Sequence, residues 1–112
     1  MAAVIKFDVS IASGASTSTA LDLGGGYRKV MFDPTGAAGS TMFFAADSFS
    51  GTYKQVKYSI ASGMSAPQTC TVGSAVSGSW VEVPALVGLR FVKVAATGTV
   101  ADGTTLKLIC YE

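Results

Sequence analysis

Along most of the chain, apolar and polar side chains alternate. From Val4 to Ile11, Ile5, Phe7, Val9 and Ile11 share one face, while Lys6, Asp8 and Ser10 share the other. Successive side chains of extended backbone point to opposite sides, so this period of two predicts a half-buried strand. The stretch Ala12 to Thr19 offers little to bury and reads as a loop. A short strand, Ala20 to Leu23, then runs into the turn Gly24-Gly25-Gly26. Tyr27 to Asp33 resumes the extended pattern and stops at Pro34, and Thr35 to Gly39 holds small and turn-forming residues. Thr41 to Ala46 is read as a strand, although Ala37 to Ala46 also fits a short helix. The flanking glycines and the adjacent Phe43 and Phe44 favour the strand.

The second half repeats this grammar. Asp47 to Thr52 reads as a turn, and Tyr53 to Ile60 alternates again, with Val56, Tyr58 and Ile60 on one side and Lys57 and Ser59 on the other. Ala61 to Pro67 closes that strand. Gln68 to Val72, Trp80 to Val83 before Pro84, Leu89 to Ala95 and Thr104 to Tyr111 complete the set. The last two are expected to form a hairpin across Asp102-Gly103, a favoured turn dipeptide. About eight or nine short strands result, with no long helix and no internal repeat. Strands so short and regularly spaced predict an all-β fold, an antiparallel β-sandwich or jelly roll, because a single open sheet would leave half of the apolar faces wet. Residues 1–112 are read as one domain, with the N-terminal strand 1–12 available for exchange with a neighbouring subunit.

Composition changes this picture in one respect. The chain is 49% hydrophobic with a mean hydropathy of +0.46, yet sixteen alanines and thirteen glycines supply much of that without filling core volume. Charged residues are only 13% of the chain, against about 25% in ordinary domains. A surface so poor in charge is expected to be covered in part by other subunits. The net charge is +1, and the eight basic residues, Lys6, Arg28, Lys29, Lys54, Lys57, Arg90, Lys93 and Lys107, are scattered, which argues against nucleic acid as a partner. No run approaches the roughly 20 apolar residues of a membrane span, and Lys6 and Asp8 break the only leader-like stretch, Ala2 to Ile11. The expectation is no membrane partner and synthesis in the cytoplasm.

Candidate chemistry is sparse. There is no His, so His-based triads and metal sites are excluded. Cys70 and Cys110 lie forty positions apart without a CxxC pair, which excludes a structural zinc site and reads as two buried small hydrophobes more than as a disulfide. The carboxylates Asp8, Asp22, Asp33, Asp47, Glu82, Asp102 and Glu112 are isolated in sequence. Asp22, Asp33, Asp47 and Asp102 adjoin turn signals, where Asp bends the backbone. Gly24-Gly25-Gly26-Tyr27-Arg28-Lys29 has the composition of a phosphate cradle but leads into a strand instead of a helix N-terminus. Trp80 with Tyr27, Tyr53, Tyr58 and Tyr111 allows an exposed platform for sugars, against which core packing is the stronger account. The expectation is a non-enzymatic protein with no cofactor.

Three stretches carry a family resemblance. Ser16-Thr17-Ser18-Thr19-Ala20-Leu21-Asp22-Leu23-Gly24-Gly25, then Asp47-Ser48-Phe49-Ser50-Gly51-Thr52-Tyr53 to Val56, then Pro84-Ala85-Leu86-Val87-Gly88-Leu89-Arg90-Phe91-Val92-Lys93-Val94 with Thr97-Gly98-Thr99 follow in that order. The order is similar to that of small virion structural proteins of tailed bacteriophages, the head decoration or cement type. Ser50 departs from the pattern, which has Asp before the glycine. The resemblance implies a β-sandwich that binds the major capsid protein on the outside of the phage head, often as a homotrimer, located on the virion surface. A tail or head-fibre component is the neighbouring alternative, and a carbohydrate-binding module the alternative of another class. The residues read as its interface are Val4, Ile5, Phe7, Tyr27, Arg28, Tyr53 and Trp80.

Overall fold

The computed structural model describes residues 4–24, 26–37, 39–57, 70–73, 79–99 and 103–112. Among them are nine strands: β1 Val4–Ile11, β2 Leu21–Asp22, β3 Lys29–Asp33, β4 Thr41–Ala46, β5 Lys54–Gln55, β6 Thr71–Val72, β7 Val81–Glu82, β8 Phe91–Ala96 and β9 Thr104–Tyr111. They form two antiparallel sheets. One runs β1-β9-β3-β7, and the other runs β2-β8-β4-β5, with β6 also pairing β4. The protein is therefore the predicted all-β sandwich. The only helical element among the described residues is a 3-10 turn, Pro84–Leu86, just after β7. Proline, lacking an N–H, ends that strand and opens the turn with the φ it already prefers.

The core lies between the sheets and is made by the inward half of each alternation. Val9 and Ile11 of β1, Val30 and Phe32 of β3, Phe43 of β4, Val92 and Val94 of β8, and Leu106, Leu108 and Cys110 of β9 are all buried. Phe32 and Phe43, one from each sheet, meet edge to face at 5.2 Å between ring centroids. Burying a side chain of this kind contributes roughly 1.5–3 kcal/mol, so these pairs across the sheets dominate cohesion. Both cysteines are buried and free.

Several expectations are corrected. The hairpin across Asp102-Gly103 does not form. β8 pairs with β2 and β4 in one sheet, whereas β9 pairs with β1 and β3 in the other. β8 and β9 therefore lie in different layers, and Asp102 itself lies outside the described residues. Full pairing of β1 with β9, Val4 opposite Tyr111 through Ile11 opposite Thr104, brings the two ends of the chain together instead. The stretch 12–19 is more than a loop. The Ser18 N–H donates to Val94 O at 2.8 Å, the Ala96 N–H donates to Ser16 O at 2.7 Å, and the Val94 N–H donates to Ser18 Oγ at 2.9 Å. Small polar side chains let this segment lie directly along β8.

The strand expected over Tyr53 to Ile60 is β5 alone among the described residues, with Tyr58, Ser59 and Ile60 outside them, as are 61–69. Ile5, placed by periodicity on the buried face of β1, is exposed, because the sandwich covers this strand only from Val9 onward and half-covers Phe7. Gly36, at φ +97°, allows the turn after Pro34 to press against Thr104; a Cβ there would strike the Thr104 hydroxyl.

Candidate interaction surface

The sequence-derived interface residues do not all reach one surface. On the four-stranded sheet, the inward positions are set by Val30, Phe32, Leu106 and Leu108, so the intervening residues face out. This outer face carries Val4, Lys6 and Asp8 on β1, Lys107, Ile109 and Tyr111 on β9, Lys29, Met31 and Asp33 on β3, and Glu82 on β7. Val81 pairs with Phe32 on the core side, so Trp80, one residue earlier, emerges on the outer side, where it remains 47% exposed. Its indole helps line a hollow of about 150 Å³ with Lys6, Phe7, Asp8, Lys107 and Ile109. Two ammonium groups, one carboxylate and one large ring thus converge on a shallow sheet face.

Tyr27, by contrast, is buried, and its hydroxyl lies at the turn beside Gly24; burial raises its phenol above the ordinary tyrosine range. It belongs to the core. Arg28 sits at the end of the sheet, where its backbone N–H donates to Tyr111 O at 2.9 Å and its guanidinium donates to the Glu112 carbonyl at 3.2 Å. Tyr53 is on the opposite face of the sandwich. The interface set is therefore divided: Val4, Ile5, Phe7 and Trp80 on or beside β1 and its sheet, Arg28 at one end, Tyr53 behind.

The second sheet carries a surface that periodicity did not reveal. The loop 47–53 folds back over it, and Phe49 meets Phe91 edge to face at 6.1 Å. The Tyr53 hydroxyl donates to Phe49 O at 2.7 Å, and the Lys93 ammonium lies 4.5 Å above the Tyr53 ring. Arg90 stacks over Phe91 at 4.9 Å while donating two hydrogen bonds to Asp22, Nε to Oδ1 at 2.9 Å and Nη2 to Oδ2 at 3.1 Å. That paired guanidinium, together with the Gly24 N–H donating to Oδ1, holds the Asp22 carboxyl below the usual carboxylate range. Phe49 itself remains 55% exposed. The available signal was an aromatic ring inside a Ser/Asp/Gly turn, where no core periodicity accounts for it. Beside this cluster lies an open depression of about 640 Å³ lined by Ala45, Ala46, Asp47, Thr52, Lys54 and Leu89.

The isolated carboxylates do turn chemistry where they are described. Asp22 accepts from Gly24 N–H, and Asp33 accepts from the Thr35 N–H at 3.0 Å and from its hydroxyl. Among the described residues, no group of three or more Cys, Asp or Glu side chains is placed to hold a metal ion, and no helix is long and apolar enough to cross a membrane. Gly24 and Gly26 adopt positive φ in a turn that leads to strand β3, not to a helix.

Compared with known proteins, the chain matches no family model, no curated protein and no solved structure. Its surface chemistry is what speaks to function.

Proposed function

We propose that this chain is a non-enzymatic structural protein that binds the outer surface of a tailed-phage head and stabilises it, a decoration protein acting on the major capsid protein as a homotrimer. The observation that carries the reading is the distribution of exposed apolar side chains. Val4, Ile5, Phe49, Trp80 and Val87 are 38–55% exposed and lie on β1, just before β7 and in the loops that follow β4 and β7, on a chain in which only 13% of residues are charged. Such a surface suits broad, shape-matched contact with other subunits more than capture of a small substrate. Trimeric attachment raises weak single contacts to stable binding, because the second and third attachments become intramolecular. The three motifs resembling virion decoration proteins supply the choice of partner.

The test is the copy number of this chain in purified particles of the source virus, measured against the major capsid protein. A ratio of one per capsid subunit, or a simple fraction of it, supports the reading. A few copies per particle moves the protein to the tail or a head fibre, and absence from particles overturns the virion assignment.

A carbohydrate-binding reading is favoured by one observation, the exposed Trp80 that lines one hollow with Lys6, Asp8 and Lys107. A sugar ring can stack on an indole while charged side chains bond its hydroxyls. Trp80 is the only tryptophan, so its fluorescence reports directly on that hollow. Quenching or a blue shift on titration with a glycan panel, lost in Asp8→Ala, supports this reading. No spectral response to any glycan removes it.

A further inference from the structure

We infer that the free edge of β1 is an interface between copies of this chain, in which two β1 strands pair antiparallel about a two-fold axis at Phe7 and join the four-stranded sheets of two subunits into one. This contact is separate from the three-fold assembly and the capsid binding proposed above and does not rest on them.

The first ground is the edge itself. β1 is eight residues long and lies at the end of its sheet, paired on one side only among the described residues, by β9. Its opposite side presents a row of backbone N–H and C=O groups. The strand at the other end of the same sheet, β7, is two residues long and soon meets Pro84, and the edges of the second sheet, β2, β5 and β6, are also two residues each. Short strands and proline blunt an edge. β1 has no proline and no glycine, and Val4 and Ile5 are exposed along it.

The second ground is charge, which selects both the occupant and the register. The outer row of the sheet runs Asp33, Lys107, Asp8, each directly opposite the next on paired strands. The next place in this alternating row lies beyond the free edge and calls for a cation. Pairing β1 with a second β1 about Phe7 puts Lys6 of the partner subunit there, and by symmetry sets this chain's Lys6 opposite Asp8 of the partner subunit. The same register sets Ile5 opposite Val9 of the partner subunit and the two Phe7 rings opposite each other on the core side. Shifting the axis to residue 6 or residue 8 instead opposes two lysines or two aspartates, which is unfavourable at cross-strand distance. Lys6 and Asp8 are the only charged residues of β1, so the strand is complementary to itself in this one register.

The experiment uses the purified full-length chain. Analytical ultracentrifugation is expected to show an even-numbered species, a dimer, or a hexamer where the three-fold contact also forms. Amide exchange followed by NMR is expected to show protection, on assembly, of alternate β1 amides, those turned away from β9. Lys6→Asp places two aspartates opposite each other at both symmetry-related positions and is expected to weaken the association about tenfold. Lys6→Asp with Asp8→Lys restores the opposite-charge pairs between subunits, and Lys107→Ser added to them removes the like charge that would otherwise face position 8 from β9; this triple variant is expected to recover the association. Both side chains are exposed, and near-UV circular dichroism checks that each variant keeps its fold. Only monomers or trimers at every concentration, unprotected outward β1 amides, or an association that ignores the single reversal or is not rescued by the triple variant each overturns the proposal.

Discussion

Phe32 and Phe43 are the contact through which the two sheets recognise each other. Each is fully buried, each lies within a strand of a different sheet, and their rings meet at 82° with 5.2 Å between centroids. Edge-to-face pairs of this kind contribute about 0.5–1.5 kcal/mol beyond the area they bury. Phe32→Ala or Phe43→Ala alone should lower unfolding free energy by about 3–5 kcal/mol, read from the urea midpoint at unchanged slope. In the double variant the losses should fall short of additivity by that coupling. Additive losses would show that the rings contribute by area alone.

Thr41 offers the opposite case. It is completely buried at the start of β4, and its Oγ1 finds no hydrogen-bond partner among the described residues. A buried hydroxyl left unpaired costs about 1–3 kcal/mol. Thr41→Val, which replaces that hydroxyl with a methyl of similar size, should therefore stabilise the protein by about 1 kcal/mol. A loss of stability on the same denaturation assay would mean that the hydroxyl is satisfied.

The Asp22–Arg90 pair gives an acid-side prediction. Hydrogen bonding from Arg90, reinforced by Gly24 N–H, lowers the Asp22 pKa in the folded protein. A carboxyl whose folded pKa is depressed stabilises the fold above its unfolded value of about 3.9, and this contribution is lost as pH falls from there through the folded value. The effect is small because both side chains are largely exposed to solvent. Asp22→Asn should flatten the stability curve below about pH 4 and change little at pH 7 beyond a modest loss. An unchanged acid limb would show that the pair is not maintained in solution.

Cys110 gives an alkaline one. It is inward-facing on β9, and burial pushes its thiol up to about 11. In the unfolded chain the thiol ionises near pH 8.5, so between that value and about 11 the unfolded state releases a proton that the folded state keeps. Stability should therefore fall as pH rises through this window, and less so in Cys110→Ala once its own packing loss is subtracted. At pH 8 the native protein should react with a thiol reagent far more slowly than the urea-unfolded chain, for Cys110 and equally for buried Cys70. Fast labelling of the native protein would place either thiol outside the core.

The local grammar was legible wherever one strand face is buried and the other is wet. Thr41–Ala46, expected from its flanking glycines and adjacent aromatics, and Thr104–Tyr111 have the bounds expected of them, and Val9 and Ile11 are buried on the face where alternation places them. The turn role of Asp22 and Asp33 was equally readable, because a short carboxylate bonding its own backbone two residues on is a local event.

Pairing was not local. Asp102-Gly103 is a good hairpin dipeptide, but β8 is drawn to β4 and β9 to β1 and β3, since both strands bury an apolar face and the sandwich does so best with them in opposite layers. Periodicity likewise says which side chains share a face, not how far the opposite sheet reaches. Ile5 follows the same alternation as Val9 and Ile11 and is nonetheless exposed, and Trp80, the largest apolar side chain, stands on the outer face beside Lys6 and Asp8. The sequence alone determined the all-β class, the bounds of Thr41–Ala46 and Thr104–Tyr111 and the inward face of Val9 and Ile11, because those depend on backbone geometry and the transfer of side chains from water. Only the tertiary structure decided which strands meet, which long strand lacks a second partner among the described residues and which aromatics face outward, because these depend on contacts between residues far apart in the chain, from Val4 opposite Tyr111 to Asp22 held by Arg90.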